Sequence, residues 1–306
     1  MVARVTVCHV LLAKLPHHDR RLLRFAGADV LRFLQGVLSA DVAAVRPGHA
    51  WPAALLTVKG KLIAEALILR GVDGATALAV PAELAEAVVG LLDRHIIMDD
   101  VAVSLDPAVR FALAWPEGPG EAAGVTGYAT QHPAPGVLLV GAPEDLEAAL
   151  RGRTEADANA WHLHRVAAAA PAWGHEITAE VFPPEVGFVA AVSYDKGCFM
   201  GQEPLARIHA RGQVNRVMVQ VKADRAPAGV VSLAAPDRPQ AGRWTTWANG
   251  PHGVVGLAVV HRSCATPGTL LTAEDGAKVE VSSGPLGDDP GVPGKGKAAP
   301  VLLGRR

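Results

Sequence analysis

Tyr194-Asp195-Lys196-Gly197-Cys198-Phe199-Met200-Gly201-Gln202-Glu203-Pro204-Leu205-Ala206-Arg207 is the stretch on which the reading of this chain turns. Two glycines bracket a cysteine, and a backbone without Cβ atoms can take the positive φ values that tight loops need. A helix is expected to start near Gln202 and to end at Gly212, a favourable C-terminal glycine. Glu203 and Pro204 suit its first turn. Cys198 is thus expected just before a positive helix end, with Lys196 two residues upstream, conditions that favour a reactive thiolate. The same residues allow a plainer reading, in which the cysteine is a small buried hydrophobe and the glycines only make a turn.

Downstream of Gly212 the pattern changes. Short apolar runs at 214–222, 229–233, 243–248, 253–261, 269–273 and 277–282 are punctuated by Gly, Pro and Asn, the spacing of a small antiparallel barrel. From Gly284 the chain is rich in Gly, Pro, Asp and Lys, which predicts a flexible tail. Upstream, a strand over 22–25 leads through Gly27-Ala28-Asp29 into a helix. Asp29 is its expected cap, and Val30, Leu31, Phe33 and Leu34 are its apolar face. Strands at 51–58 and 62–69 flank the turn Lys59-Gly60-Lys61, and a strand at 75–80 precedes a helix over 81–94. Strands follow at 101–105 and 110–115, residues 116–136 read as loop-rich, and a strand at 137–140 precedes helices at 143–151 and 156–168. Strands and helices that alternate without a GxGxxG fingerprint point to an α+β domain rather than a dinucleotide-binding fold. The expected division is an α+β domain over 1–212, a β-barrel over 213–283 and a tail over 284–306.

Half of the 306 residues are hydrophobic and the net charge is -1, so the chain can bury a large core and is not globally disordered. A dedicated nucleic-acid binder would carry a clear basic excess, so nucleic acid is an unexpected partner, although a local basic patch remains open. No run approaches the roughly 18 apolar residues that span a bilayer. Cys8, Cys198 and Cys264 are too few and too scattered for a disulfide framework or a zinc ribbon, which fits a reducing cytoplasm.

Lys196-Gly197-Cys198-Phe199-Met200-Gly201-Gln202-Glu203 followed by Arg207 resembles the K-G-C-[YF]-x-G-Q-E-x-x-x-R signature of the YgfZ folate-binding proteins, relatives of the glycine-cleavage T-protein. Arg165-Val166, Trp173-Gly174-His175-Glu176-Ile177 and Phe182-Pro183-Pro184-Glu185 resemble the run that leads into that signature. Gly27-Ala28-Asp29, Phe33-Leu34-Gln35-Gly36 and Asp41-Val42 resemble the family's first helix. The resemblance implies a T-protein-like fold, in which interleaved α+β subdomains surround a folate site and a C-terminal barrel follows. It also implies tetrahydrofolate as cofactor, iron–sulfur enzymes or assembly proteins as partners, and Cys198 as the functional thiol. Glu176 would face the amino-pyrimidine edge of the pterin, Trp173 would wall it and Arg165 would reach the glutamate tail. Lys196, Gly197, Gln202, Glu203 and Arg207 would complete the ligand contacts. A core position for Trp173 and a helix-surface position for Arg165 stay open.

Aminomethyltransferases carry a paired Asp-Asp where this chain has Ala64-Glu65. Proton transfer at a folate bridge needs a correctly placed acid, so Glu65 is expected to be a surface charge and the chain an accessory factor. The alternative is a tetrahydrofolate-dependent aminomethyltransferase or demethylase. No metal site is expected: His162 and His164, at i and i+2, do not face one another on a helix. Lys196, Arg207, Arg211 and Arg216 form a basic cluster that suits a polyglutamate tail, a phosphate or an RNA backbone, or is simply solvated.

Overall fold

The structure is a computed structural model that describes residues 9–12, 19–179, 181–211 and 214–287. Cys8, His17, His18, Gly212 and most of the expected tail lie outside the described residues, as does the junction expected at 212–213.

Two bodies share the chain. The first is a ten-stranded sheet. One half is built from β2 (Arg20–Ala26), β3 (His49–Leu56), β4 (Leu62–Arg70), β5 (Thr76–Pro81) and β6 (Ala102–Asp106). The other half holds β1 (His9–Leu12), β7 (Arg110–Trp115), β8 (Val125–Thr130), β9 (Gly136–Gly141) and β10 (Thr154–Glu155). The strand order is β10-β1-β7-β9-β8-β3-β4-β5-β2-β6. The halves meet through the single pair His49↔Ala129, and β1 lies in the half otherwise made by the later strands, which interleaves the subdomains. β4 is buried along nearly its whole length, because both faces of the sheet are covered. On one face Ala64, Ala66 and Ile68 meet α1 (Val30–Val37) and α2 (Ala85–Asp93) through Phe33, Leu34, Val88 and Leu92. On the other, Leu67 and Leu69 pack with Phe111, Leu138 and Val140.

The second body is a closed barrel of β11 (Arg216–Ala223), β12 (Val231–Ala235), β13 (Arg238–Gly250), β14 (Gly253–His261), β15 (Leu270–Ala273) and β16 (Lys278–Val281). Alternate residues Val217, Val219 and Val221 fill its interior against Trp244, Ala258 and Val260. After α3 (Pro143–Ala149), the helix α4 (Ala158–Ala167) lies against it: Asn159 and Asn249 exchange two hydrogen bonds, and the Gln220 amide donates to the Val166 carbonyl at 2.7 Å. Residues 284–287 of the expected tail turn back along the barrel, where the Leu286 N–H donates to Met218 at 2.9 Å.

Two expectations are corrected here. The loop-rich reading of 116–136 passes over β8, which forms within them; Val125-Thr126-Gly127-Tyr128 is only partly buried, which weakens its apolar signal. Asp29 occupies the cap position of α1 but does not cap it; its carboxylate accepts from the Asp100 N–H, while Asp100 returns a bond from the Ala28 N–H.

Candidate functional site

The signature joins three remote elements. Gly201 has φ +79°, and a Cβ there would lie 2.5 Å from the Thr57 carbonyl oxygen and 2.9 Å from Leu56 Cβ. Gly60, in the tight β3–β4 turn, packs against it, with its Cα 3.2 Å from the same Cβ position. The glycine is therefore required by conformation and by close approach together. Gly197 differs: its φ is not in the positive region, and a Cβ there would meet open space. Phe199 and Leu205 anchor the segment in a core with Ala54, Leu56, Leu62, Val186 and Phe188. Helix α5 (Gln202–Arg211) follows, as expected.

Lys196 is not directed at the thiol. Its ammonium donates to the carbonyls of Gln35, Leu38 and Ala40 at 2.6–2.8 Å, saturating its three protons at the exposed end of α1. Burial pulls its pKa down to about 8, against the opposing charge of Asp41. The Met200 N–H donates to Gly36 and the Ser193 N–H to Ser39, so the loop is laced to the end of α1. Ser39 is fully buried: its hydroxyl donates to Ala191 and accepts from the Ala54 N–H. Cys198 stands on the outer side of this scaffold and is exposed, which excludes the buried-hydrophobe reading. Glu203 and Arg207 also face solvent, paired loosely at 3.6 Å, and Gln202 is half-buried at the start of α5.

Arg165, Trp173 and Glu176 lie in the interior. Arg165 is fully buried and binds the Glu176 carboxylate at 2.9 Å, the Ala170 carbonyl at 2.9 Å and the Thr246 hydroxyl at 2.6 Å. The same carboxylate accepts from Thr245 and Thr246 at 2.6 and 2.7 Å and from the Ala172 N–H. Burial alone would raise the pKa of Glu176, but the charge of Arg165 and these donors bring it down to about 2. The two side chains are committed to each other and to the barrel threonines, while the buried Arg165 Nε–H has no hydrogen-bond partner among the described residues. Their bonds fasten α4 and the 172–177 loop to the barrel. Trp173 sits in the signature's core with its indole N–H on Glu83 at 2.7 Å.

Glu65 is not a surface charge. It is 1% exposed and ion-paired with Arg20 of β2, and His132 Nε2 lies 2.8 Å from its other oxygen. Burial would raise its pKa, but Arg20 and His132 lower it to about 2, while burial pushes the His132 imidazole below its ordinary range. Arg20 and His132 were not singled out in the sequence. Their signal was a lone carboxylate in an unbroken apolar run, since a strand buried on both faces cannot carry an unpaired charge. His162 and His164 do diverge: His162 meets His175 edge to face at 5.0 Å, while His164 stacks on Trp115 at 4.6 Å.

Beside α5 lies an open cleft of about 290 Å³ lined by Phe182, Glu185, Pro204, Arg207, Ile208, Val214 and Asn215. Lys61 sits 4.0 Å over the Phe182 ring, and one oxygen of Glu185 accepts from the Phe182 N–H. The cleft thus offers an aromatic wall, a carboxylate and a guanidinium within the α+β body and its edge with the barrel. Among the described residues, no helix is long and apolar enough to cross a membrane.

No family model matches the chain. It is 24% identical over 291 residues to the human mitochondrial iron-sulfur cluster assembly factor IBA57, covering 86% of this chain and 82% of that protein. It is 24% identical over 246 residues to the tRNA-modifying protein YgfZ of Sodalis glossinidius, covering 72% of this chain and 75% of that one. The crystal structure of the glycine cleavage system aminomethyltransferase T from Bartonella henselae superposes with a TM-score of 0.75 at 18% identity, over 91% of this chain and 86% of that one. The chain is thus similar in sequence to IBA57 and YgfZ proteins, and its fold is that of the glycine-cleavage T-protein.

Proposed function

We propose that this chain is a folate-binding accessory protein for the assembly or repair of iron–sulfur proteins, with Cys198 as its functional thiol. The names of its relatives support the iron–sulfur role, and the T-protein-like fold supports folate as the ligand. The observation that carries the reading is the presentation of Cys198: an exposed thiol on a loop that Lys196 and Ser193 fasten to the end of α1 and Gly201 fits against the β3–β4 turn. A thiol that only filled space would not need such a mount. One thiol cannot hold a cluster alone, since clusters usually take four cysteine ligands, so any cluster contact is shared with another molecule. The cleft beside α5 is the proposed folate-facing surface: Phe182 would cover a ring, Glu185 would accept from an amino-pyrimidine edge, and Arg207 would meet the tail carboxylates. Free Cys198 and Cys264 suit a reducing compartment.

The transferase alternative finds no support in Glu65, whose carboxylate is ionised and held on both sides. A group in that state is a poor proton carrier near neutral pH. Calorimetry with tetrahydrofolate is expected to give a dissociation constant between about 1 µM and 1 mM. Cys198→Ser is expected to retain the fold and folate binding while losing support of iron–sulfur enzyme activity in cells that lack their own homologue. Absence of heat and of any thermal shift at millimolar folate would refute the ligand, and full support by the serine variant would refute the thiol.

A further inference from the structure

β6 ends the ten-stranded sheet: β2 pairs with one side of it, and among the described residues no strand lies on the other. Five residues are an ordinary strand length, so this edge presents a row of backbone N–H and C=O groups with no strand to bond. Proteins usually guard such an edge with a lysine, a proline or a bulge. β6 has none of these: Ala102-Val103-Ser104-Leu105-Asp106 pairs with β2 without a break in register, and Pro107 comes only after the strand has ended. The opposite edge of the sheet is the two-residue β10. Helix α2 packs over β6, but its cover is incomplete. Val103 and Leu105 lean on the core beneath α2 and stay only partly buried, as do Val89, Leu91 and Ile96. Ile97 and Met98, on the segment between α2 and β6, are 84% and 92% exposed. An unfinished sheet edge thus runs beside an uncovered apolar ledge.

Carboxylates stand at both ends of this edge. Asp99 and Asp100 lead into β6, Asp106 closes it, and exposed Asp93 ends α2. Arg24 pairs with Asp106, Arg32 bridges Asp29 and Asp99, and Arg94 adjoins Asp93, which leaves the carboxylates in excess. We infer that the β6 edge takes up an extended segment of another protein as an added strand, a segment with apolar residues at alternate positions and basic residues flanking them. This interaction is independent of the folate and thiol reading. Main-chain bonds to β6 would supply the affinity, and the alternate apolar side chains would complete the cover over Val103, Leu105 and Met98. The flanking cations would meet the acids at the two ends, which fixes the choice of partner. A second copy of this chain is a poor match. Antiparallel pairing of two β6 strands sets Asp106 of one toward Asp99 and Asp100 of the other, parallel pairing sets each acid against itself, and like charges placed opposite one another destabilise a strand pair.

The test is fluorescence anisotropy of the labelled peptide Lys-Lys-Val-Thr-Val-Thr-Val-Lys-Lys, titrated with the full chain. Replacing both threonines of the peptide by proline keeps its charge and valines but removes donors to the edge, and should weaken binding at least about tenfold. Replacing its four lysines by glutamate should weaken it by a similar factor, and affinity for the lysine peptide should fall as salt rises from about 50 to 200 mM. With the lysine peptide bound, the amides of residues 102–106 should exchange more slowly with solvent. Met98→Lys, at an exposed position, should weaken binding about tenfold, through lost apolar contact and added like charge. Val72→Lys places the same charge at an equally exposed valine in the β4–β5 turn and should change affinity less than about twofold. Thermal unfolding of both variants should match the parent. Three results would overturn the inference: no anisotropy change with protein up to about 0.5 mM, equal affinity for the proline peptide, or a concentration-dependent dimer in sedimentation that Met98→Lys dissolves. The last would assign the edge to a second copy of the chain.

Discussion

Replacing Arg165 with Met should destabilise this protein more than any surface substitution, and the effect should shrink as the pH falls. Arg165 is fully buried and neutralises Glu176, which is 1% exposed. Removing one partner of a buried pair costs about 3–5 kcal/mol, because the other charge is left uncompensated. Against burial, the pKa of the Glu176 carboxyl stands at about 2 rather than an ordinary 4.5, with Arg165 the largest of the groups that hold it down. For a chain of this size a loss of about 3–5 kcal/mol predicts a fall in Tm of roughly 6–12 °C at neutral pH. The sign with pH follows from the depressed value. In the parent, this stabilisation is complete above pH 4.5 and is lost as the pH falls toward 2. In Arg165→Met the carboxyl has lost the charge that held it down and becomes neutral at higher pH. The gap between variant and parent should therefore be widest near pH 7 and narrow toward pH 3. Glu176→Gln keeps acceptors for Thr245 and Thr246 but leaves Arg165 unneutralised, and it should remove one carboxyl's share of the parent's acid-side loss. Calorimetric scans of the three proteins across that range decide the matter. A loss below about 1 kcal/mol at pH 7 for Arg165→Met, or a gap independent of pH, would show that the pair does not hold α4 to the barrel as argued.

The remaining expectations concern the mount of Cys198 and the buried sheet. Gly201→Ala should lower stability by about 2–4 kcal/mol, through strain at positive φ and a 2.5 Å approach to Thr57, whereas Gly197→Ala should be nearly silent in the same thermal scans. Ser39→Ala strips the bonds to Ala54 and Ala191 and should cost about 1–3 kcal/mol, read as a shift in the urea midpoint without a change of slope. Glu65→Gln leaves Arg20 buried without its counter-charge; a loss of about 3–5 kcal/mol is expected, and a neutral result would mean that the pair with Arg20 is not formed in solution.

Much of the architecture was legible because local rules and tertiary packing agree. The barrel could be read from the spacing of its turns, since each strand had to bury alternate residues and then reverse. The signature helix was legible from Gln202 onward for a similar reason: Leu205 and Ile208 recur on one face, and both pack into cores. β8 was missed because a strand with Thr126 and Gly127 exposed shows no strong period. The role of Asp29 was missed because a cap and a long-range turn bond use the same carboxylate, and only the proximity of Asp100, 71 residues away, decides between them.

The polar interior was the least legible part, for a physical reason. Glu65 meets partners 45 and 67 residues away, and Arg165 meets Thr246 81 residues away, distances over which sequence period carries no information. What sequence does carry is the cost of an exception. The run Leu62 to Leu69 has one charge among seven apolar residues, and a charge buried that deeply must be paired somewhere. The same logic applies to Lys196. Proximity in sequence suggested that it activates Cys198, yet its three protons go to the carbonyls of Gln35, Leu38 and Ala40 at and just past the end of α1. The lysine therefore acts on the thiol through position: it fixes the loop to α1, as Gly201 fixes it to the β3–β4 turn, and Cys198 is left outward between the two. It follows that a substitution at Gly60 or Ser39, without touching Cys198, should change its rate of alkylation. Replacement of exposed Arg207 should change that rate little, because Arg207 holds no part of the mount.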